Sequence, residues 1–278
     1  MKRTFLLLPG MLALLSVSAQ TKQGTITYEK KVNMYRTITD EQMRAMIPEF
    51  RTNKFTLQFS DSSSIYHVVA EDEAPDPFAG GSGGGARVFF RTGGSGGDNS
   101  ILYKNFATGK SIESTDLGAK TYLIEDSIRT QQWKLTDETK TILGHPCRKA
   151  VTVQTVTVPK GMKMVTMSVN GGKATSDTTT KAAEGPQTKQ VEVVAWYADD
   201  IASPVGPDNN GGLPGVILQL DVNNAETVYT ATNISKDING KEMKEPTKGK
   251  KVTRTEFRKL QADAFGGQGM MKTVHIGM

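Results

Sequence analysis

Apolar and polar residues alternate with a period of two from residue 24 almost to the C-terminus, and the apolar positions are rich in Val, Ile, Tyr and Phe. That pattern predicts strands over 24–34, 53–59, 64–70, 87–91, 100–106, 121–125, 131–135, 147–158, 188–197, 216–222, 227–234 and 251–259. Turn residues punctuate them, as at Ser60-Asp61, Asn170-Gly171-Gly172 and Asn239-Gly240. Connections this short join antiparallel neighbours, because a parallel crossover needs a dozen residues or more. The expected fold is mainly β: an antiparallel, strongly curved or half-barrel sheet. The concave face of such a sheet would be open to a ligand.

One helix interrupts the strand pattern. Thr39 can cap a first turn carrying Asp40 and Glu41, Met43, Met46 and Ile47 then share a side, and Pro48 stops it. A helix over 39–50 beside so many strands is expected to cover part of the sheet. Three further segments break the alternation: a Gly/Ser-rich insert at 79–97 around Val88-Phe89-Phe90, a low-complexity loop at 171–187 and a tail at 261–278. The strands between form one domain, 20–260.

The N-terminus reads as a signal peptide over 1–19. Lys2-Arg3 precede an apolar run from Phe5 to Leu15, and Val17-Ser18-Ala19 supply small residues before the cut. The run falls short of the ~20 residues that span a bilayer. The expected mature chain is exported, periplasmic or secreted, and not a lipoprotein, since no cysteine adjoins the cut. With Lys2 and Arg3 removed, 32 basic residues face 29 acidic ones, a formal net of +3. The charges are interspersed, which argues against nucleic acid as a partner. Cys147 is the only cysteine, so a core and not a disulfide must hold the fold.

Two blocks carry a family resemblance. The first runs Trp196-Tyr197-Ala198-Asp199-Asp200-Ile201, then Gly206-Pro207, then Gly212-Leu213-Pro214-Gly215-Val216-Ile217. The second is Trp133-Lys134-Leu135-Thr136, followed by Lys140-Thr141-Ile142-Leu143-Gly144-His145-Pro146-Cys147-Arg148-Lys149-Ala150. Together they resemble the GLPGLI family of exported proteins of Bacteroidota-type bacteria, whose function is not established. Val216 stands where that family usually has Leu, and His145 where it usually has Tyr. The resemblance implies structural roles for Trp133, Cys147, Gly206, Pro207, Gly212, Leu213, Pro214 and Gly215. On the residues alone, Pro214 between two glycines sets a rigid turn ahead of a core strand.

The chemistry on offer is sparse. Gly80-Gly81-Ser82-Gly83-Gly84 and Gly93-Gly94-Ser95-Gly96-Gly97 match a hydrolase serine pattern, but both lie in glycine tracts without the strand before and helix after that expose such a serine. His67, His145 and His275 form no metal-binding pair, and adjacent carboxylates such as Glu125-Asp126 point to opposite faces of a strand. No catalytic residue is assigned and no enzyme is expected. Trp196 or Tyr197, Phe59, Met43 and Met46 are the candidate ligand groove. Met162, Met164 and Met167, with His145 and Cys147, are an alternative soft-ligand set for copper, against the plainer reading that methionines fill cores. Otherwise no cofactor is expected. Asp126-Ser127-Ile128 resembles an O-glycosylation signal of such bacteria, with Ser127 the acceptor.

By analogy of architecture the half-barrel resembles periplasmic lipoprotein carriers, and the expectation is a cell-envelope protein, non-enzymatic, that binds or carries an apolar small molecule or lipid, with an outer-membrane transport protein as a second partner and no transmembrane segment in the mature chain. Two alternatives stand beside it: a periplasmic copper binder, and a structural or adhesive surface protein using the 79–97 insert.

Overall fold

A computed structural model describes residues 22–37, 41–45, 47–69, 100–158 and 187–266. They form one sheet of twelve strands: β1 (Gly24–Asn33), β2 (Phe50–Phe59), β3 (Ser63–Val68), β4 (Ile101–Asn105), β5 (Lys110–Leu117), β6 (Lys120–Ser127), β7 (Lys134–Ile142), β8 (His145–Val158), β9 (Gln187–Ala198), β10 (Val216–Val222), β11 (Thr227–Ser235) and β12 (Lys250–Thr253). Two antiparallel meanders, β1 to β6 and β7 to β11, are joined where β1 pairs with β11. β12 adds to β6 in parallel, so β12 and β7 are the two edges.

The predicted curvature follows from two hydrogen bonds. Lys104 Nζ of β4 donates to the Asp208 carbonyl at 3.1 Å, and Gln154 Nε2 of β8 donates to Asn210 Oδ1 at 2.9 Å. Six strands lie between β4 and β8. A flat sheet would hold those two roughly 34 Å apart at ~4.8 Å per strand, whereas Asp208 to Asn210 spans about 7 Å of chain at most. The sheet therefore curls around the loop that follows β9.

Pairing shows which residues line the inside. Opposed across the strands, Tyr28 meets Phe55, Leu57 meets Tyr66, Tyr66 meets Leu102 and Lys104 meets Ser111. Most of this face is core: Ile26, Tyr28, Phe59, Val193, Ala195, Leu220 and Tyr229 are buried in one cluster with Ile201, Val205 and Leu213 of the loop. At ~25 cal/mol per Å² of apolar surface removed from water, this cluster is the main stabilising element.

The predicted strands at 24–34, 53–59, 64–70, 100–106, 121–125, 147–158, 188–197, 216–222 and 227–234 are found with small boundary shifts. The one at 131–135 lies further on, as β7, and 87–91 falls outside the described residues. Three expectations are corrected. β5 has no counterpart among them, because the face it turns into the curl is Ser111, Glu113 and Thr115, and Ile112 is its one buried apolar residue. The strand at 251–259 stops at Thr253 and the chain continues as a helix, α3 (Arg254–Gly266), which runs past the start of the expected tail. Thr253 and Glu256 explain the switch: the Glu256 amide donates to Thr253 Oγ1 at 3.2 Å and the Thr253 amide to Glu256 Oε2 at 2.7 Å, a capping box. Phe257 then packs on Tyr122, Ile124 and Val252.

The third correction concerns the 39–50 helix. Two single turns stand near it, α1 (Met34–Thr37) and α2 (Glu41–Arg44), and Phe50 already begins β2. They close the β1–β2 connection on themselves, with Tyr35 Oη donating to the Arg44 carbonyl at 3.0 Å and Arg44 donating back to the Tyr35 carbonyl at 2.6 Å. What lies over the curled face is the loop after β9. Among the described residues no helix is long and apolar enough to cross a membrane.

Candidate functional site

The loop between Ala198 and Val216 is built so tightly that its residue types follow from space. A Cβ on Gly215 would sit 1.9 Å from the Ala198 carbonyl oxygen, a distance no side chain tolerates, so the chain re-enters β10 only through glycine. A Cβ on Gly206 would meet Ile217 Cδ1 at 2.8 Å. Gly212 turns with a left-handed φ of 83°. Leu213 is buried in the core while Pro214 points to solvent. Pro207, buried, offers its carbonyl to the Asn210 amide and side chain, each at 3.2 Å. Trp133 Nε1 donates to the Gly211 carbonyl at 2.9 Å and ties the first block to the second. The loop amides are also used, Gly212 to Pro204, Val216 to Ile201 and Ile217 to Val205.

The tip of this loop carries charge into the curl. Asp208 adopts a left-handed φ of 56°, uncommon for a residue with a side chain. Its carboxylate hydrogen-bonds to Tyr229 and acts on Lys30, Lys104 and Tyr66. Burial pushes Lys104 down from the usual 10.5 to about 8, and Asp208 offsets that only in part. Lys30 is lowered for the same reason and lies over the rings of Tyr229, at 5.2 Å, and Phe55, at 5.8 Å. Tyr66, stacked on Phe55 at 5.1 Å, has a buried hydroxyl with no hydrogen-bond partner among the described residues.

Lys104 also forms one wall of a cleft of about 110 Å³ between β4, β5, β6, the loop tip and α3. Four cations line it, Lys104, Arg129, Arg254 and Arg258, against one carboxylate, Asp126. Arg254 is the keystone: Nε donates to Asp126 at 3.1 Å, and its guanidinium pairs with buried Glu113 at 3.0 Å. Arg129 pairs with Asp126 at 3.1 Å. Arg254 and Arg129, with the Ser127 amide, hold the Asp126 carboxyl below its ordinary value despite its desolvation.

The candidate groove residues do not converge. Phe59 and Tyr197 are 0% and 1% exposed, filling the core instead of lining an opening. Trp196, next along β9, faces the other side of the sheet under Lys140, whose Nζ stands 4.1 Å from the ring. The Met43 side chain and Met46 lie outside the described residues. The loop occupies the place where a dry groove was expected.

Of the alternative metal set, Met162, Met164 and Met167 lie outside the described residues. Cys147 is 1% exposed, donates to the His145 carbonyl at 3.5 Å, and burial pushes its thiol up to about 11, so it is neither an accessible thiolate nor a ready soft ligand. His145 pairs through Nδ1 with Asp200 at 2.8 Å. No group of three or more His, Cys, Asp or Glu able to hold a metal occurs among the described residues. Ser127 is exposed at the end of β6 and lines the cleft; its neighbour Asp126 is engaged by Arg254 and Arg129.

Lys104, Asp208, Arg254 and Arg258 were not picked out by the sequence reading. A signal existed for one: by period-two counting in β4, Lys104 falls on the same face as buried Leu102, an interior position for a lysine.

A family model for a protein of unknown function (Porph_ging) matches residues 133–219, the span from Trp133 through the Gly-Leu-Pro-Gly turn into β10. Two solved structures of PNGF-II, in C2 and P21 space groups, are similar at TM-score 0.49 and 14% identity over 87% of this chain. The chain spans about a third of their length, 33% and 34%. No curated protein matches.

Proposed function

We propose that this chain is an exported, non-enzymatic binding protein of the cell envelope, whose site is the cleft beneath the loop tip rather than an apolar groove. The observation that carries the reading is Lys104. It stands on the inward face of β4 and lines the cleft together with Arg129, Arg254 and Arg258, and gathering that many cations at one partly desolvated place costs the fold stability, as binding sites do. The motif loop serves as the rigid arm that holds Asp208 and Asn209 at the rim, and Gly206, Gly215 and Trp133 make that arm stiff. Export rests on the signal-like segment at 1–19.

The test is native mass spectrometry of the mature protein purified gently from its own cells. A bound species at fixed stoichiometry, lost in a Lys104→Met variant, is the expected result. A bare mass in every preparation, or a bound species indifferent to Lys104, overturns the proposal.

A further inference from the structure

The geometry points to a specific occupant of that cleft: a tetrahedral oxyanion of the phosphate class, free or as the headgroup of a larger molecule. The inference rests on the binding reading above and adds to it the chemistry of the ligand.

Size is the first argument. About 110 Å³ is well under the roughly 300–1,000 Å³ of pockets that enclose whole small molecules, so the cleft can swallow a headgroup and little else. Charge is the second. Asp126 and Glu113 are both engaged by arginine, through Arg254 and Arg129. Arg258, exposed on α3, has no carboxylate partner among the described residues, and Lys104 reaches only a backbone carbonyl there. The cleft therefore keeps a cationic surplus after its internal pairs are made. Donor geometry is the third. The guanidinium fork of exposed Arg258 suits bidentate recognition of an oxyanion, Arg254, committed to Asp126 and Glu113, adds positive charge from the wall, and the Ser111 hydroxyl, spending only a long 3.5 Å bond on the Ser127 carbonyl, is there to help.

The site is pH-gated as a result. The charged groups facing Lys104 are Asp208 from the loop, Asp126 from β6, Arg129 after it, and Arg254 and Arg258 from α3, with Glu113 behind Arg254. Lys104 is the one near neutrality, titrating at about 8. If only the protonated lysine binds, affinity falls ~30-fold between pH 7 and pH 9.5.

Calorimetric titration of the mature protein with inorganic phosphate and with sulfate tests this, sulfate being the probe whose own charge stays constant over that range. Saturable binding of both at pH 7, a loss of ten-fold or more for sulfate by pH 9.5, and a similar loss in Lys104→Met and Arg258→Gln are expected, with Lys189→Gln on the exposed face of β9 unchanged. Arg258 is exposed, so its variant keeps the fold even if Lys104→Met disturbs it. Co-sedimentation with phosphatidylcholine vesicles, with and without phosphatidic acid, separates the sources. Pelleting only with phosphatidic acid, reversed by phosphate, assigns a lipid headgroup; free-anion binding without pelleting assigns a soluble phosphate. No saturable binding, or binding indifferent to both cleft variants, overturns the inference. Should native mass spectrometry show a bound species that phosphate fails to displace, the binding reading stands and the oxyanion assignment falls.

Discussion

The loop side of the molecule, with β8 to β11 beneath it, and the cleft side, where β4 to β6 meet α3, are built from opposite materials. The first is backbone and hydrocarbon: Gly206 and Gly215 stand where no Cβ fits, and Ile201, Val205, Leu213 and Ile217 pack in a dry core. The second is charge. Ser111, Glu113 and Thr115 are buried, and the charge that meets buried Glu113 comes from far along the chain, from Arg254, which also reaches Asp126, 128 positions away. A dry, glycine-tight region gains rigidity and little chemistry. A region paired by long-range charges gains chemistry at a cost in stability, because each desolvated ion must be compensated.

That contrast breaks most sharply at Gly215. Gly215→Ala drives a methyl into the Ala198 carbonyl, and a loss on the order of 4 kcal/mol or outright failure to fold is expected; denaturant unfolding or soluble yield measures it. Gly206→Ala should cost less, about 3 kcal/mol, since its methyl meets buried Ile217 at 2.8 Å and the Asn210 carbonyl at 3.1 Å, not a backbone oxygen at 1.9 Å. On the cleft side, Arg254→Ala takes the guanidinium away from buried Glu113 and is expected to cost about 3 kcal/mol. Adding Glu113→Gln should recover part of it, and a double-mutant cycle showing no coupling would dismiss the keystone role.

Lys104→Met moves the other way. Because the folded pKa of about 8 lies below the unfolded 10.5, the unfolded chain holds more protons between those values, and the stability of the natural protein rises with pH across that window. The methionine variant should be more stable at pH 7, on the order of 2 kcal/mol, and should lack the rise. Melting curves from pH 7 to 10.5 decide it: a destabilised variant would mean that Lys104 serves packing instead of a ligand. Smallest is Trp133→Phe, which removes one hydrogen bond to Gly211 and should cost about 1 kcal/mol while leaving oxyanion binding nearly unchanged.

Legibility followed the same division. The Val216–Val222 strand and the turn before it could be read from apolar spacing and from Gly and Pro, whose constraints are local. α3 was readable in principle, since Thr253 and Glu256 have capping-box spacing, but the alternating Lys251-Val252-Thr253 masked it. β5 was not readable, because period-two counting looks for apolar residues and its interior is polar. The groove prediction failed for a related reason: alternation tells which residues share a face, and here the chain's own loop covers that face.

By itself the sequence determined an antiparallel β protein with a strict glycine-proline turn, because strand periodicity and the steric needs of Gly and Pro act within a few residues. Only the tertiary structure decided that the sheet curls around that turn, that Asp208 is carried over to Lys104, and that Arg254 reaches Glu113 and Asp126. Those relations join residues a hundred or more positions apart, and no local pattern encodes which distant charge will arrive.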